Sequence, residues 1–492
     1  MTTHHPALAR AIGAISITMA LLTASCSGPD ELTAPGLQAA KAGADPKVAS
    51  VVPDSSERGV RLDITVNGSG FDQGSVARLE RQGVPAAGIT TNATTYVSSR
   101  KLIADVTIAA TADTGKYDVA VTTSGGRKGV GIELFAVQYE IAELGMFGGT
   151  WSIAHAINDQ GEIVGESCTQ ECLSRAFRWT EATGLEDLGT LPGYTRSGAY
   201  AIDNSGRAYG RVECRSTDPG CGTVTQRQLV RWDKVGGSWN ITPVQGCSVV
   251  TPLSDVTRRF LVNNREQCVG RPLSGTGQLA VQTLSGGAVV HEEPLPAPIP
   301  GGSITAYAIN DAPMVAGSAQ ASGSFSEPVA WYRDAAGAWV ALRLGVPSGY
   351  LFAIAVDVGA PDGAGRVRVS GYAAHDGISR RAKYNRPVRW TLQADGTGTW
   401  RLASTEVIEV DAGSSGWAGA VNSGGDMVGV AGDYLDSGYP VKWPIVGGVE
   451  ALPIFGGGAE GRAADINSNG WIVGSVWDKA NACDRAAVWR KE

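Results

Sequence analysis

One short pattern recurs seven times between residues 138 and 492, and it leaves few folds open to the chain. The pattern is a small residue, Ile or Val, Asn or Asp, then a Gly, followed by a second Gly. It reads Ala156-Ile157-Asn158 with Gly161 and Gly165, Ala201-Ile202-Asp203 with Gly206 and Gly210, and Leu261-Val262-Asn263 with Gly270. It continues as Ala308-Ile309-Asn310 with Gly317, Ala355-Val356-Asp357 with Gly371, Ala420-Val421-Asn422 with Gly425 and Gly429, and Asp465-Ile466-Asn467 with Gly470 and Gly474. Successive copies lie 45, 60, 47, 47, 65 and 45 residues apart. Self-similarity at such a period means stacked or radially arranged supersecondary units. A second landmark follows each first one: Trp179, Trp232, Trp331, Trp390, Trp443 and Trp489, with Gln282 in the third copy.

Each copy holds four short strand-like runs. In the first they are 152–157, 162–166, 175–179 and 185–188. Asn-x-x-Gly between the first two runs is a tight turn with Gly where a positive φ is needed. The first run is rich in small residues, which suits the crowded inner strand of a tapering blade, and the Trp suits the wider part further out. The expected fold is all-β, ending in a seven-bladed β-propeller. The last copy stops after its third run, and Tyr139–Leu144 resembles the missing fourth, so an N-terminal strand is expected to close the ring and remove the open edge.

Residues 46–137 form a separate unit. Val60, Leu62, Ile64 and Val66 alternate with polar residues, as do Leu102, Ala104, Val106 and Ile108, and then Tyr117, Val119 and Val121. Period-two runs broken by Gly-rich turns predict a β-sandwich. Val52-Pro53, Ile64-Thr65-Val66-x-Gly68-x-Gly70-Phe71 and Gly115-x-Tyr117-x-Val119-x-Val121 resemble the immunoglobulin-like IPT/TIG domain. That resemblance implies a spacer or interaction module without catalytic residues. The repeats resemble the extracellular HAF repeat. The matching residues are Leu144-Gly145-Met146-Phe147-Gly148-Gly149 and Arg175-Ala176-Phe177-Arg178-Trp179, with Arg175 where that pattern has His. This implies an extracellular place and no particular activity.

Residues 1–25 read as a targeting segment: a weakly basic start, then an uncharged, apolar-to-small run up to Cys26. Leu22-Thr23-Ala24-Ser25-Cys26 resembles the end of a bacterial lipoprotein signal, which implies acylation of Cys26 and a membrane anchor at the cell envelope, the outer membrane or the cell surface. Residues 26–45 read as a flexible tether. Disulfides are permitted in such a compartment. The short spacings suggest Cys168–Cys172, Cys214–Cys221 and Cys247–Cys268, with Cys483 left over. Zinc is the rival reading of these cysteines, but no Cys-x-x-Cys occurs.

A formal net charge of −7 argues against nucleic acid as a partner. No Gly-x-Ser-x-Gly elbow is present. Asp465-x-Asn467-x-Asn469-Gly470 opens like a calcium loop but has Val476 at the twelfth place, so a hairpin turn is expected there rather than a metal site. His155 is expected to line the inner wall, at a place where Tyr200 and Tyr307 stand in other copies. No cofactor, metal or catalytic residue is expected. The stretch from the Ile/Val anchor to the third-run landmark is 22, 30, 20, 22, 34, 22 and 23 residues. Copies two and five therefore carry long loops, which are expected to emerge on one face and to mark the binding face. The fifth-copy loop brings His375, Arg380, Arg381, Lys383, Tyr384 and Arg386, a set suited to an anionic or sugar ligand. The leading expectation is a surface-anchored binding or adhesion protein whose ligand is a glycan or a protein. The alternatives are an enzyme acting on polysaccharide and a structural envelope component.

Overall fold

The computed structural model describes residues 44–490, except 110–111, 251–258, 274–277, 376–384, 411–413, 433–437, 447 and 456–457. Cys26 and the whole targeting segment lie outside the described residues. Every described element is a strand.

The first lobe is two sheets facing each other across one apolar core. One sheet runs in the order Lys47–Val52, Arg61–Ser69, Lys101–Ile108, Ile89–Ser98. The other runs Ser55–Ser56, Lys128–Val137, Gly115–Thr122, Val76–Arg81, Val84–Pro85. Lys101–Ile108 alternates between half-buried and buried along its whole length, as a strand with one face on a core must. Ile64, Val66, Leu102, Val106, Val119 and Phe135 fill the space between the sheets.

Seven further groups of strands follow. The first is Gly148–Ile157, Ile163–Thr169, Ser174–Thr180 and Gly184–Asp187, paired in chain order. Copies two, four, five and six repeat that four-stranded meander. Copy three departs from it. Its innermost part is only Val249–Val250 paired with Arg259–Phe260, beside a three-stranded sheet of Gln267–Gly270, Ala280–Ser285 and Ala288–Pro294. Copy seven has three strands of its own, Gly461–Ile466, Ile472–Asp478 and Cys483–Arg490, and its fourth is Glu140–Glu143, with Ile141 opposite Trp489.

The recurring residues each have a task. Asn158 Oδ1 accepts from the amides of Gln160 and Glu162 and so shapes its turn, in which Gly161 has φ 79°. Asn158 Nδ2 donates to the Asp203 carbonyl of the next copy at 2.9 Å. The same link joins Asn263 to Asn310, Asn310 to Gly359, Asn422 to Asn467, and Asn467 to Asn158, the last running from copy seven to copy one. Asp203 cannot donate in this way. Between copies two and three, Arg207 pairs with Glu266, and the Asn204 amide donates to Asn264 Oδ1. The second Gly of each pattern lies beneath a bulge in the first strand. A Cβ at Gly165, Gly210 or Gly429 would stand about 2.0 Å from a first-strand carbonyl, so no larger residue fits. The landmark Trp side chains are buried, Trp232, Trp331, Trp390 and Trp489 completely. In copy three Gln282 is equally buried, and the Cys247–Cys268 disulfide lies at the same level of the sheet, spanning Cα atoms 5.6 Å apart.

Candidate functional site

The first strand of every full sheet bulges three residues before the Asn position. The bulge falls between Ala154 and Ala156, Ala199 and Ala201, Ala306 and Ala308, Ala355 and Asp357, Ala418 and Ala420, and Ala463 and Asp465. This register corrects the reading of copy five. Its anchor is Asp357-Val358-Gly359, with Gly359 in the Asn place, and not Ala355-Val356-Asp357. Asp357 pairs with Ser370 as Ala156 pairs with Val164, and Asn310 donates to the Gly359 carbonyl. The two-residue shift matters, because it puts Asp357 and Asp465 at equivalent positions where other copies have Ala.

A bulge turns an extra side chain off the ladder. Those side chains are His155, Tyr200 and Tyr307 in copies one, two and four, and the smaller Val356, Gly419 and Ala464 in copies five, six and seven. The three rings, with Arg259, Asp357 and Asp465, line a cavity of about 160 Å³. His155 is buried, edge-on to Tyr200 with ring centroids 5.2 Å apart, and its Nε2 lies 3.3 Å from Glu166 Oε1.

Arg259 comes from the degenerate third copy and ties down the side of the cavity where the bulged residues are small. Its Nη1 donates to Asp357 Oδ1 at 2.6 Å, and its Nη2 to the carbonyls of Gly419 at 2.9 Å and Ala464 at 3.3 Å. Asp357 Oδ2 also accepts from the Val421 amide. Asp465 accepts from the amides of Ile157 and Ile466. Burial pushes the Asp465 carboxyl up to about 6 and Asp357 adds to the rise, while Arg259 and the two amides pull against it. Burial works against the Arg259 charge, but the two carboxylates hold its pKa above the ordinary arginine value.

The cavity is lined at the turn end of the first strands, by residues such as Ile202 and Ile309 that immediately precede the Asn or Asp position. The long loops between second and third strands leave the sheets at the opposite end. The larger cavity therefore lies at the end of the sheets opposite the long loops, because successive connections in an up-and-down meander alternate ends. At the loop end lies a narrow polar cleft of about 10 Å³, walled by Glu166, Arg196, Arg211, Glu213 and Arg215. The copy-two loop above it is held by the Cys214–Cys221 disulfide and by Arg196, which bonds Asp218 through Nε and Nη2 at 2.8 Å. That bond, more than any other, holds the Asp218 carboxyl well below the usual range.

The fifth-copy loop is only partly described. Arg380, Arg381, Lys383 and Tyr384 lie outside the described residues. His375 packs on Tyr350 with ring centroids 4.3 Å apart. Arg386 donates to Glu409 and to the carbonyls of Asn385 and Ser414, so its guanidinium is engaged by its own surroundings. Asn467 and Asn469, in the run that opens like a calcium loop, donate to the carbonyls of Asn158 and Asp159 and join copy seven to copy one.

Two of the three expected disulfides are present, Cys214–Cys221 and Cys247–Cys268. The third pairing is corrected: Cys168 and Cys172 are free thiols, as is the buried Cys483. Cys168 lies on the ladder opposite Ser174, while Cys172 sits in the turn beyond it with φ 58°. The Cys168 sulfur instead accepts from the Thr150 amide at 2.9 Å and the Trp151 amide at 3.4 Å.

Arg259 was the residue missed from the sequence. The available signal was a pair of Asp residues at a position otherwise small, and the register slip in copy five concealed it.

No protein-family model matches the chain, and no curated protein matches it. Among solved structures the chain is similar to AofleA from Arthrobotrys oligospora, at 12% identity over 68% of this chain and 92% of that one, with a TM-score of 0.33. A triple arginine-to-alanine mutant of AofleA matches at 14% identity with the same coverage and TM-score. A DUF4784 family protein from Bacteroides caccae matches at 10% identity over 72% of this chain and 95% of that one, with a TM-score of 0.24.

Proposed function

We propose that the chain is a binding protein of the cell envelope whose seven repeat sheets form a seven-bladed β-propeller completed by Glu140–Glu143. Support for the ring comes from the links that run from sheet to sheet and from Asn467 back to Asn158. In this reading residues 46–137 are an IPT/TIG-like module that holds the propeller away from the membrane, and Cys26 carries the lipid anchor. The propeller is the recognition platform, and its ligand is a surface glycan or protein.

The observation that carries the binding role is the cavity wall. Tyr307 lines it together with Arg259, whose guanidinium is held by Asp357 and two carbonyls. Such a wall is fixed before a ligand arrives, as recognition requires. An enzyme acting on polysaccharide is the second reading, favoured by Asp465, whose carboxyl titrates near 6 beside a second carboxylate. Glycan-array binding by the full chain separates the two. The binding role predicts retention on the array with no product released, and loss of retention in Tyr307→Ala. Release of sugar products that stops in Asp465→Asn would replace it with the enzymatic one. For the anchor, Cys26→Ser is expected to move the protein from the membrane fraction to the soluble fraction, and unchanged membrane retention would refute the lipid attachment.

A further inference from the structure

We infer that the central cavity takes a small organic cation, a primary ammonium group on a short apolar stem. The inference rests on the reading of the cavity as a ligand site and adds the ligand's charge class. Among the described residues Asp357 and Asp465 contribute two carboxylates against the guanidinium of Arg259, which donates to Asp357 and to the carbonyls of Gly419 and Ala464. The other titratable pair at the wall, His155 with Glu166, is either a neutral ring beside a carboxylate or an ion pair, and so adds no net positive charge. An entering anion would meet two carboxylates and find the arginine already engaged. An entering ammonium would meet Asp465, whose hydrogen bonds among the described residues are to two backbone amides while Arg259 acts on it through charge alone, and would supply the hydrogen-bonded counter-charge that Arg259 gives to Asp357.

The remaining wall suits the same ligand. Tyr307, half-buried, lines the same cavity, and the face of a tyrosine ring attracts cations by its quadrupole, most strongly where water is excluded. Ala156, Ala201 and Ala308 add small apolar groups to the lining, against which an apolar stem can pack.

Three near-isosteric probes test the charge class on the full chain by calorimetric titration: n-butylammonium, 1-butanol and butyrate. At pH 7.5 the ammonium is expected to bind at least tenfold more tightly than the alcohol, and butyrate not to bind at all. Asp465→Asn is expected to weaken the ammonium about tenfold and to leave the alcohol unchanged. Lowering the pH through about 6 is expected to weaken the ammonium in the wild type, because Asp465 then takes up a proton, and to have no such effect in Asp465→Asn. Ala308→Leu fills the cavity without touching a charge and is expected to abolish binding of every probe, so the result does not depend on the Asp465 variant folding. Butanol or butyrate binding as tightly as the ammonium, and lost in Ala308→Leu, would overturn the charge class while keeping the cavity as a ligand site. Probe binding that survives Ala308→Leu would overturn the site. No binding of any probe at millimolar concentration, with array retention unaffected by Ala308→Leu, would overturn the cavity as a site and leave recognition to another surface.

Discussion

Two clusters of buried charge, Arg259 in the cavity and Lys442 where the first lobe meets the repeats, use the same groups to different ends. Lys442 Nζ lies 3.0 Å from Asp426 and 3.7 Å from Glu450, and Thr114 of the first lobe donates to Glu450 at 3.0 Å. Lys442 and Arg58 both approach the Tyr139 ring, each 5.7 Å from its centroid. A Cβ at Gly115 would stand 2.6 Å from Arg81 Nη2 and 3.1 Å from Glu450 Oε1, so this space is already full. There the first lobe is fixed against the repeat sheets by a sealed polar contact. The Arg259 cluster borders open space instead, with two carboxylates to one cation among the described residues. A charge cluster that is filled and balanced joins parts of a fold, whereas one that is open and left negative can receive a ligand.

That contrast fixes the order of the expected effects. Lys442→Met removes the cation from a sealed site and should cost about 3 kcal/mol in denaturant unfolding, because Glu450 and Asp426 lose their partner with no water to replace it. Arg259→Met should cost less, about 2 kcal/mol at pH 7, since water can enter the cavity and Asp465 can take up a proton. A larger loss for Arg259→Met would break the comparison.

The second effect is one of pH. Asp465 titrates near 6 in the folded protein and near 3.9 when unfolded, so the folded state holds the extra proton between those values. Its contribution to stability therefore falls as pH rises through that window. The stability of Asp465→Asn relative to wild type should rise by up to about 2 kcal/mol between pH 4 and pH 7. A flat difference would show that the cavity does not desolvate this carboxyl.

Thr114→Val gives the smallest effect. It removes one hydrogen bond to Glu450 and should cost about 1 kcal/mol. No change in its unfolding midpoint would mean that the sealed contact depends on packing rather than on polar bonding.

Much of the fold could be read from local chemistry. Alternation in Lys101–Ile108, the Asn158-x-x-Gly161 turn and the landmark Trp residues each act over a few residues, and the strands appear where those signals placed them. The fourth strand of copy seven was legible because Ile141-Ala142-Glu143-Leu144 carries the same pattern as the run at 185–188. The cysteines were legible only in part. Spacing brought Cys168 and Cys172 near each other, and Thr150 Oγ1 lies 3.6 and 3.8 Å from their two sulfurs, yet both are free thiols. Loop length says which loops are long, while the cavity depends on which residues bulge inward.

The sequence by itself determined the repeat, its four-stranded unit and the turn chemistry, because each of these is encoded within one period of the chain. Tertiary structure alone decided that Arg259 would reach Asp357, Gly419 and Ala464, which lie 98, 160 and 205 residues further on. It also decided that copy five would pair two residues out of the expected register and that Glu450 would meet Thr114 across 336 residues. No period encodes such contacts. They arise when bulged strands from separate copies converge, and when burial makes an uncompensated charge too costly to leave without a partner.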